Sequence, residues 1–179
     1  MTSPVALTET LIDAATLIGT GRRAHTVLDS PLGALTLVAA DGTLCGLYLE
    51  AQRHRPSPDT FGDRDPGPFV DAVTQIEEYF AGTRTDFDLP ITLVGTQFQR
   101  RVWAQLRQIP YGRTVSYGEL AGRLGQPSAS RAVGLATGKN PLSIIVPCHR
   151  VVGSTGALTG YAGGLDRKRF LLELERTGC

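Results

Sequence analysis

Ser116-Tyr-Gly-Glu-Leu-Ala-Gly-Arg-Leu-Gly-Gln-Pro-Ser-Ala-Ser-Arg-Ala-Val-Gly-Leu-Ala-Thr137 is the stretch on which the fold of the second half turns. Ser116 and Glu119 have capping-box spacing, in which each side chain satisfies a backbone N–H that the helix start leaves open. They open a helix through Leu124. Gly125-Gln-Pro127 is a turn, and Ser128 is placed to cap a further helix through about Thr137. Two short helices joined by a tight turn containing glycine are the signature of a helix-turn-helix. The second helix carries Arg131 and ends beside Lys139, so the motif presents cations.

The charge distribution agrees with that placement. The 179-residue chain has a formal net charge of +1, yet its halves differ sharply. Residues 1–90 hold six arginines against thirteen Asp and Glu, a net of −7. Residues 91–179 hold twelve Lys and Arg against Glu119, Asp166, Glu173 and Glu175, a net of +8. Such a split reads either as a polyanion partner for the second half or as charge pairing between halves. With the helix-turn-helix in the basic half, nucleic acid is the better reading.

Working outward, Thr96-Gln-Phe-Gln99 is another capping box, followed by Phe98, Val102, Trp103, Leu106 and Ile109 at helical spacing. Leu142-Ser-Ile-Ile-Val146 reads as a buried strand. Asp166–Glu175 reads as a terminal helix with Phe170, Leu171 and Leu174 on its apolar side. In the first half, strands are expected over His25–Asp29, Ala34–Ala40 and Leu44–Glu50, punctuated by Pro31-Leu-Gly33 and Asp41-Gly42 as hairpin turns. Residues 52–68 read as an exposed connector, Phe69–Ala81 as an amphipathic helix, and Phe87–Leu93 as a closing strand. In residues 1–23, Leu7, Leu11, Ile12, Ala15 and Leu17 fit either a short helix or a frayed tail. The divisions expected are an extension over 1–23, a first domain over 24–94 and a second over 95–179.

The chemistry concentrates at Pro147-Cys148-His149-Arg150, where the apolar run ends. A cysteine after such a run is often an inert core residue. Here His149 and Arg150 cannot be buried without partners, so the segment is expected to emerge into a polar site. Neighbouring strand residues face opposite ways, so His149 can serve Cys148 only if the backbone bends after Pro147 or a water relays the proton. A histidine base also needs a third group to hold its tautomer, and Glu175 either turns inward from the last helical turn or, as such carboxylates ordinarily do, stays solvated at the helix end.

Gly138-Lys139 falls short of a phosphate loop, because the spacing is one residue short and Asn140 stands where Ser or Thr is required. The glycines from 153 to 164 lack dinucleotide spacing and suit a loop beside a flat ligand. Cysteine occurs only at Cys45, Cys148 and Cys179, which makes no disulfide framework and favours a reducing cytoplasm. Scattered His and Cys predict no metal site, and no apolar run is long enough to cross a bilayer.

Pro147-Cys-His-Arg-Val151, preceded by Asn140-Pro141 and followed by Gly160-Tyr-Ala-Gly-Gly164, resembles the methylated-DNA–protein-cysteine methyltransferase family, the O6-alkylguanine-DNA alkyltransferases. Ile109-Pro-Tyr-Gly112, Ser116-Tyr117 and Ser130-Arg-Ala-Val-Gly134 extend the likeness over about 96–175. The resemblance implies an α/β (α+β) chain. Its first part is a small ribonuclease-H-like α/β domain, and its second is mainly helical with a winged helix-turn-helix. The implied activity is DNA repair by direct damage reversal, moving the alkyl group of O6-alkylguanine, and of O4-alkylthymine, onto the protein's own cysteine.

By the same resemblance Cys148 is the alkyl acceptor, His149 acts through water, and Glu175 orients it. Tyr117 lies near the flipped nucleotide and can protonate the guanine ring, while Asn140 supports the active-site turn. Arg131 is the arginine finger that fills the space of the flipped base, with Ser130, Ala132 and Tyr117 also on the DNA. Val151, Tyr161, Ala162 and Gly163 line the base pocket, with Ala162 where other members can have serine. The implied partner is double-stranded DNA bound in the minor groove by a monomer, with cooperativity left open. No cofactor is implied, and nothing nearby would break the product thioether, so one turnover per molecule is expected. The alternative within the same fold is a non-enzymatic alkyl-DNA damage sensor, relatives of which replace the acceptor cysteine. A Cys-His hydrolase would leave the basic half unexplained, and a plain transcription regulator would not need Cys148-His149.

Overall fold

The computed structural model describes residues 21–178. The expectations for residues 1–20 and for Cys179 therefore lie outside the described residues. The first half is built on β1 (Arg23–Leu28), β2 (Leu35–Ala40) and β3 (Thr43–Leu49), an antiparallel meander. The tight turns at Gly33 (φ +89°) and Asp41-Gly42 (φ +48° and +77°) join them, as the turn residues require. β4 (Asp63–Arg64) pairs in parallel with β1, giving the sheet order β3-β2-β1-β4.

Alternation along the strands sends Leu35, Leu37, Leu47 and Leu49 into the core, all fully buried. α1 (Val70–Phe80) packs there through Ala72, Ile76 and Tyr79. The opposite sheet face carries Val38 and Tyr48. Phe61 covers it by stacking on Tyr48, with centroids 5.6 Å apart and planes 11° from parallel. The 52–68 segment is thus no simple exposed connector. Gln52 and Phe61 are buried, and short 3₁₀ turns at Pro58–Phe61 and Gly67–Phe69 bracket β4.

The strand expected over Phe87–Leu93 reduces to a single parallel bridge between Ile91 and Leu44. Pro90 has no N–H to give to a ladder. The backbone of Asp88 is also taken, since its N–H and carbonyl bind the Gln75 side chain at 2.8 and 2.9 Å.

The second half holds α2 (Gln97–Leu106), β5 (Val115–Ser116), α3 (Tyr117–Arg123), α4 (Ser130–Gly138), β6 (Val151–Val152) and α5 (Leu165–Thr177). Both capping boxes form, at Thr96/Gln99 and at Ser116/Glu119. Ser128, in contrast, is not a cap. Pro127–Ala129 winds as a 3₁₀ turn, and α4 begins at Ser130 without a side-chain cap. α3 and α4 are the helix-turn-helix. Trp103 holds α4 against α2 by donating Nε1–H to the Ala136 carbonyl at 2.9 Å. Buried side chains of both halves form one continuous core, running from Leu37, Ile76 and Tyr79 to Trp103, Leu106 and Val133.

Gly62 (φ +79°) turns the chain into β4, and a Cβ there would sit 2.1 Å from the Arg23 carbonyl oxygen. A backbone clash in the left-handed region cannot be relieved by a rotamer change. Gly62→Ala is expected to cost about 2–3 kcal/mol in urea unfolding, whereas Gly42→Ala, with open space around it, should cost less.

Candidate active site

The Leu142–Val146 run is buried as expected, but it is not a strand. Pro141, Leu142 and Ser143 run beside β3, with Leu47 N–H donated to the Pro141 carbonyl and Ser143 N–H to the Leu47 carbonyl. The chain then folds tightly. Ile144 has φ +73°, and Ile145 N–H reaches the Ser143 carbonyl at 2.9 Å, the strained form of γ-turn. Pro147 centres a second such turn of the relaxed form, with Cys148 N–H on the Val146 carbonyl at 2.8 Å. Beyond it Cys148–Arg150 winds as 3₁₀. The backbone thus bends after Pro147, and Cys148 and His149 do not sit on opposite strand faces.

Asn140 ties this turn together. Its Oδ1 accepts Leu142 N–H at 3.0 Å, and its Nδ2 donates to the Val146 carbonyl at 2.7 Å. Burial pushes the Cys148 thiol up, while a hydrogen bond from Asn140, the Lys168 cation and the backbone N–H groups of Cys148 and His149 act against that rise. The sulfur is accordingly a resting thiol with the donors of a thiolate around it.

His149 and Arg150 do not emerge into solvent; both are buried with a partner. That partner is Glu175, turned inward from the last turns of α5. Its Oε1 accepts from His149 Nε2 at 2.8 Å, Arg150 Nη2 at 2.9 Å and Tyr79 Oη–H at 2.7 Å. Its Oε2 accepts from Arg150 Nε at 2.9 Å and Gly112 N–H at 3.0 Å. Burial alone would raise the carboxyl, but the bonds and charges of His149 and Arg150 hold it well below the usual carboxylate range. Burial keeps His149 neutral against the pull of Glu175. Because Nε2 faces the carboxylate, Nε2 carries the proton and Nδ1 is the acceptor. Nδ1 has no protein partner among the described residues.

Two rungs connect this turn to the helix-turn-helix, because β5 and β6 pair Val115 with Val151 and Ser116 with Val152. Tyr117 follows directly. Burial, and then proximity to Cys148, raises its hydroxyl pKa, and the hydroxyl donates to the carbonyls of Thr159 and Gly160 at 3.2 and 3.0 Å. An open cleft of about 850 Å³ runs past Tyr117, Ser130, Arg131, Gly134, Thr159 and Gly160. Arg131 and Ala132 are exposed on α4. Cys148, 4% exposed, is not among the residues that line this cleft.

Val151 is fully buried, with its carbonyl bound by Lys168 Nζ. Tyr161 is half-buried near Cys148, its hydroxyl without a partner among the described residues. The Ala162 carbonyl accepts Arg53 N–H at 2.9 Å, and Gly163 is packed so closely that a Cβ would meet Leu49 at 2.6 Å.

Two buried groups at the site were not among the sequence candidates. Lys168 donates to Thr159 as well as Val151, and burial lowers its pKa to about 8. Lys168, Leu171 and Glu175 share the inward face of α5 at helical spacing, while Phe170 is 39% exposed. The period carried that signal, masked by the expectation that only apolar residues face inward. Tyr79 had no such signal, since nothing local links α1 to α5. No group of three or more His, Cys, Asp or Glu positioned to hold a metal occurs among the described residues.

Residues 97–177 match the 6-O-methylguanine DNA methyltransferase DNA binding domain, and residues 24–93 match the ribonuclease-like domain of the same family. The chain belongs to the methylated-DNA–protein-cysteine methyltransferase family. It is 54% identical over 153 residues to the Mycobacterium tuberculosis (strain H37Rv) methylated-DNA–protein-cysteine methyltransferase, covering 86% of this chain and 92% of that one. The Methanosarcina acetivorans methyltransferase of the same name is 45% identical over 152 residues, covering 84% and 97%. A crystal structure of Mycobacterium tuberculosis OGT in complex with DNA superposes with a TM-score of 0.82 at 51% identity, covering 87% and 94%. Family membership extends to both halves, including the small-sheet part read only loosely from sequence.

Glu175→Gln would leave the buried Arg150 guanidinium without its counter-charge, a loss of about 3–5 kcal/mol at neutral pH. Because the folded Glu175 pKa lies below its ordinary value of 4.5, its stabilisation is present above that value and is lost as pH falls through and below it. Urea unfolding of both proteins at pH 7 and pH 3 should therefore show the gap between them narrowing in acid.

Proposed function

We propose that the protein repairs DNA by transferring the alkyl group of O6-alkylguanine, and of O4-alkylthymine, to Cys148, once per molecule. What carries the reading is the two-rung ladder between β5 and β6. It joins the Cys148-His149 turn, which Glu175 holds from α5, to the start of a helix-turn-helix whose Arg131 lines an open cleft. A nucleophile relay and a duplex-reading motif share one backbone support.

In this reading α3 and α4 engage the minor groove, with Ser130, Arg131 and Ala132 on the duplex and Arg131 filling the place of the everted guanine. Eversion costs a few kcal/mol, offset by that replacement and by contacts in the base pocket. Val151, Tyr161, Ala162 and Gly163 form the pocket wall beside the sulfur. The second domain, 95–179, does the chemistry, and the first, 24–94, buttresses it. The protein acts as a cytoplasmic monomer, where a single reduced thiol survives.

Each residue has a defined task. The Cys148 Sγ–H proton passes through a water to His149 Nδ1, Glu175 stabilising the imidazolium that results. The S–C bond forms as the C–O6 bond breaks, and Tyr117 protonates the departing guanine ring. To do so its hydroxyl turns away from the Thr159 and Gly160 carbonyls. The His149 imidazolium then gives its proton up to solvent and the Tyr117 phenolate takes one back from solvent, so both residues return to neutral and, net, one proton moves from thiol to guanine. Because burial raises the Cys148 thiol, free ionisation contributes little, and full ionisation of an ordinary thiol would give only about thirtyfold. Alignment of sulfur with the alkyl carbon supplies more, up to about 7–11 kcal/mol, and proton donation about 10²–10⁴-fold. Asn140 provides that alignment by fixing the turn. The thioether has no route back, and the presence of Cys148 within an assembled relay sets this reading above the damage-sensor alternative.

Incubation with excess O6-methylguanine oligonucleotide should add one methyl per chain, located on Cys148 by mass spectrometry. Cys148→Ala should bind DNA as before and transfer nothing; methylation by that variant, or repeated turnover by the native chain, would refute the assignment. Arg131→Ala should slow repair of duplex at least tenfold more than reaction with the free base, an order of magnitude matching the cost of unstacking. Equal losses on both substrates would remove its role as a wedge.

A further inference from the structure

We propose that Tyr79, contributed by the N-terminal half, is a positioning residue of the alkyl-transfer site, because its hydroxyl holds Glu175 Oε1 and sets how strongly that carboxylate draws on His149. The inference rests on the relay proposed above and adds a member from outside the DNA-binding half. Tyr79 stands on α1 at full burial, 96 residues from its partner, and donates to Glu175 Oε1 at 2.7 Å. The same oxygen receives His149 Nε2 at 2.8 Å, so both donors draw on one lone-pair shell. Burial and the adjacent carboxylate keep the Tyr79 phenol protonated, so it acts as a donor at every working pH.

The shared oxygen makes the direction of the effect definite. A donor on Oε1 spreads the carboxylate charge and weakens its hold on the Nε2 proton. Removing the donor leaves more charge facing His149, and the imidazolium becomes easier to form. The groups facing His149 are Cys148, Arg150, Lys168 and Glu175, and Tyr111 faces Tyr79 edge-on with ring centroids 6.1 Å apart. Deleting the Tyr79 hydroxyl oxygen removes none of these groups and takes away only the donor on Glu175 Oε1. The ring itself is held by Phe80, Phe87 and Tyr111 and has its own packing role, which Tyr79→Phe preserves.

The full-length chain has three histidines, so His149 can be followed alone by ¹⁵N-edited NMR of the ring nitrogens. Tyr79→Phe should raise the His149 titration midpoint by about half a pH unit. Site-specific replacement of Tyr79 by 3-fluorotyrosine, a stronger donor of nearly the same shape, should lower it. The methyl-transfer rate to O6-methylguanine DNA should follow, its acid limb moving in the same two directions. An unmoved His149 midpoint in both variants overturns the proposal. If Tyr79→Phe does not fold, the fluorotyrosine protein alone decides by the direction of its shift. The NMR readout needs no substrate. A His149 shift in a protein that transfers no methyl group would thus sustain the Tyr79 link while refuting the assigned activity.

Discussion

The carboxylate of Glu175 is the interaction from which the rest of the site follows. A lone buried charge is untenable, and here five donors from three parts of the chain surround it: Tyr79, Gly112, His149 and both the Nε and Nη2 of Arg150. Arg150 is committed further by donating Nη1–H to the Ile109 carbonyl. Satisfying that one carboxylate brings α1, the residues after α2, the nucleophile turn and α5 into register. It also decides which imidazole nitrogen carries the proton, and so which one is left as an acceptor. Position and chemistry come from the same set of bonds.

The turn that carries Cys148 shows how local rules yield to such demands. Ile144 is a buried β-branched residue at positive φ, a conformation that costs about 1–3 kcal/mol and persists only where surroundings enforce it. Asn140, Leu47 and the two γ-turn bonds provide that enforcement, leaving the backbone around Cys148 with few uncommitted polar groups. The result is a turn whose backbone bonds fix the position of the Cys148 sulfur.

Much of this was legible in the residues. The Pro31-Leu-Gly33 and Asp41-Gly42 turns delimited β2 and β3, and the Thr96 and Ser116 capping boxes marked their helices because capping is a local bargain between residues three apart. Pro147-Cys-His-Arg150 marked the turn that holds the candidate nucleophile, Cys148. What escaped depended on distant contacts. An apolar run such as Leu142–Val146 looks the same as strand or buried turn, since both exclude water and only tertiary hydrogen bonds tell them apart. Ser128 lost its expected capping role because Pro127 starts a 3₁₀ turn ahead of it. Lys168 lies on a buried helical face that polarity alone would assign to solvent, and Tyr79 reaches Glu175 across 96 residues. Buried polar networks are written in pairs of positions, and a single sequence shows only one member at a time.

The unbroken core across the two halves has a consequence for how such proteins can be recombined. Because Tyr79 and Ile76 from one half pack in the same cluster as Trp103 and Leu106 from the other, there is no seam at which the chain divides into interchangeable modules. A chimera joining this first half to the second half of a relative would have to import matching partners on both sides of the junction, down to the phenol that meets the buried acid. Crossovers placed in the surface loops, where few side chains cross, are the ones such a chain can tolerate.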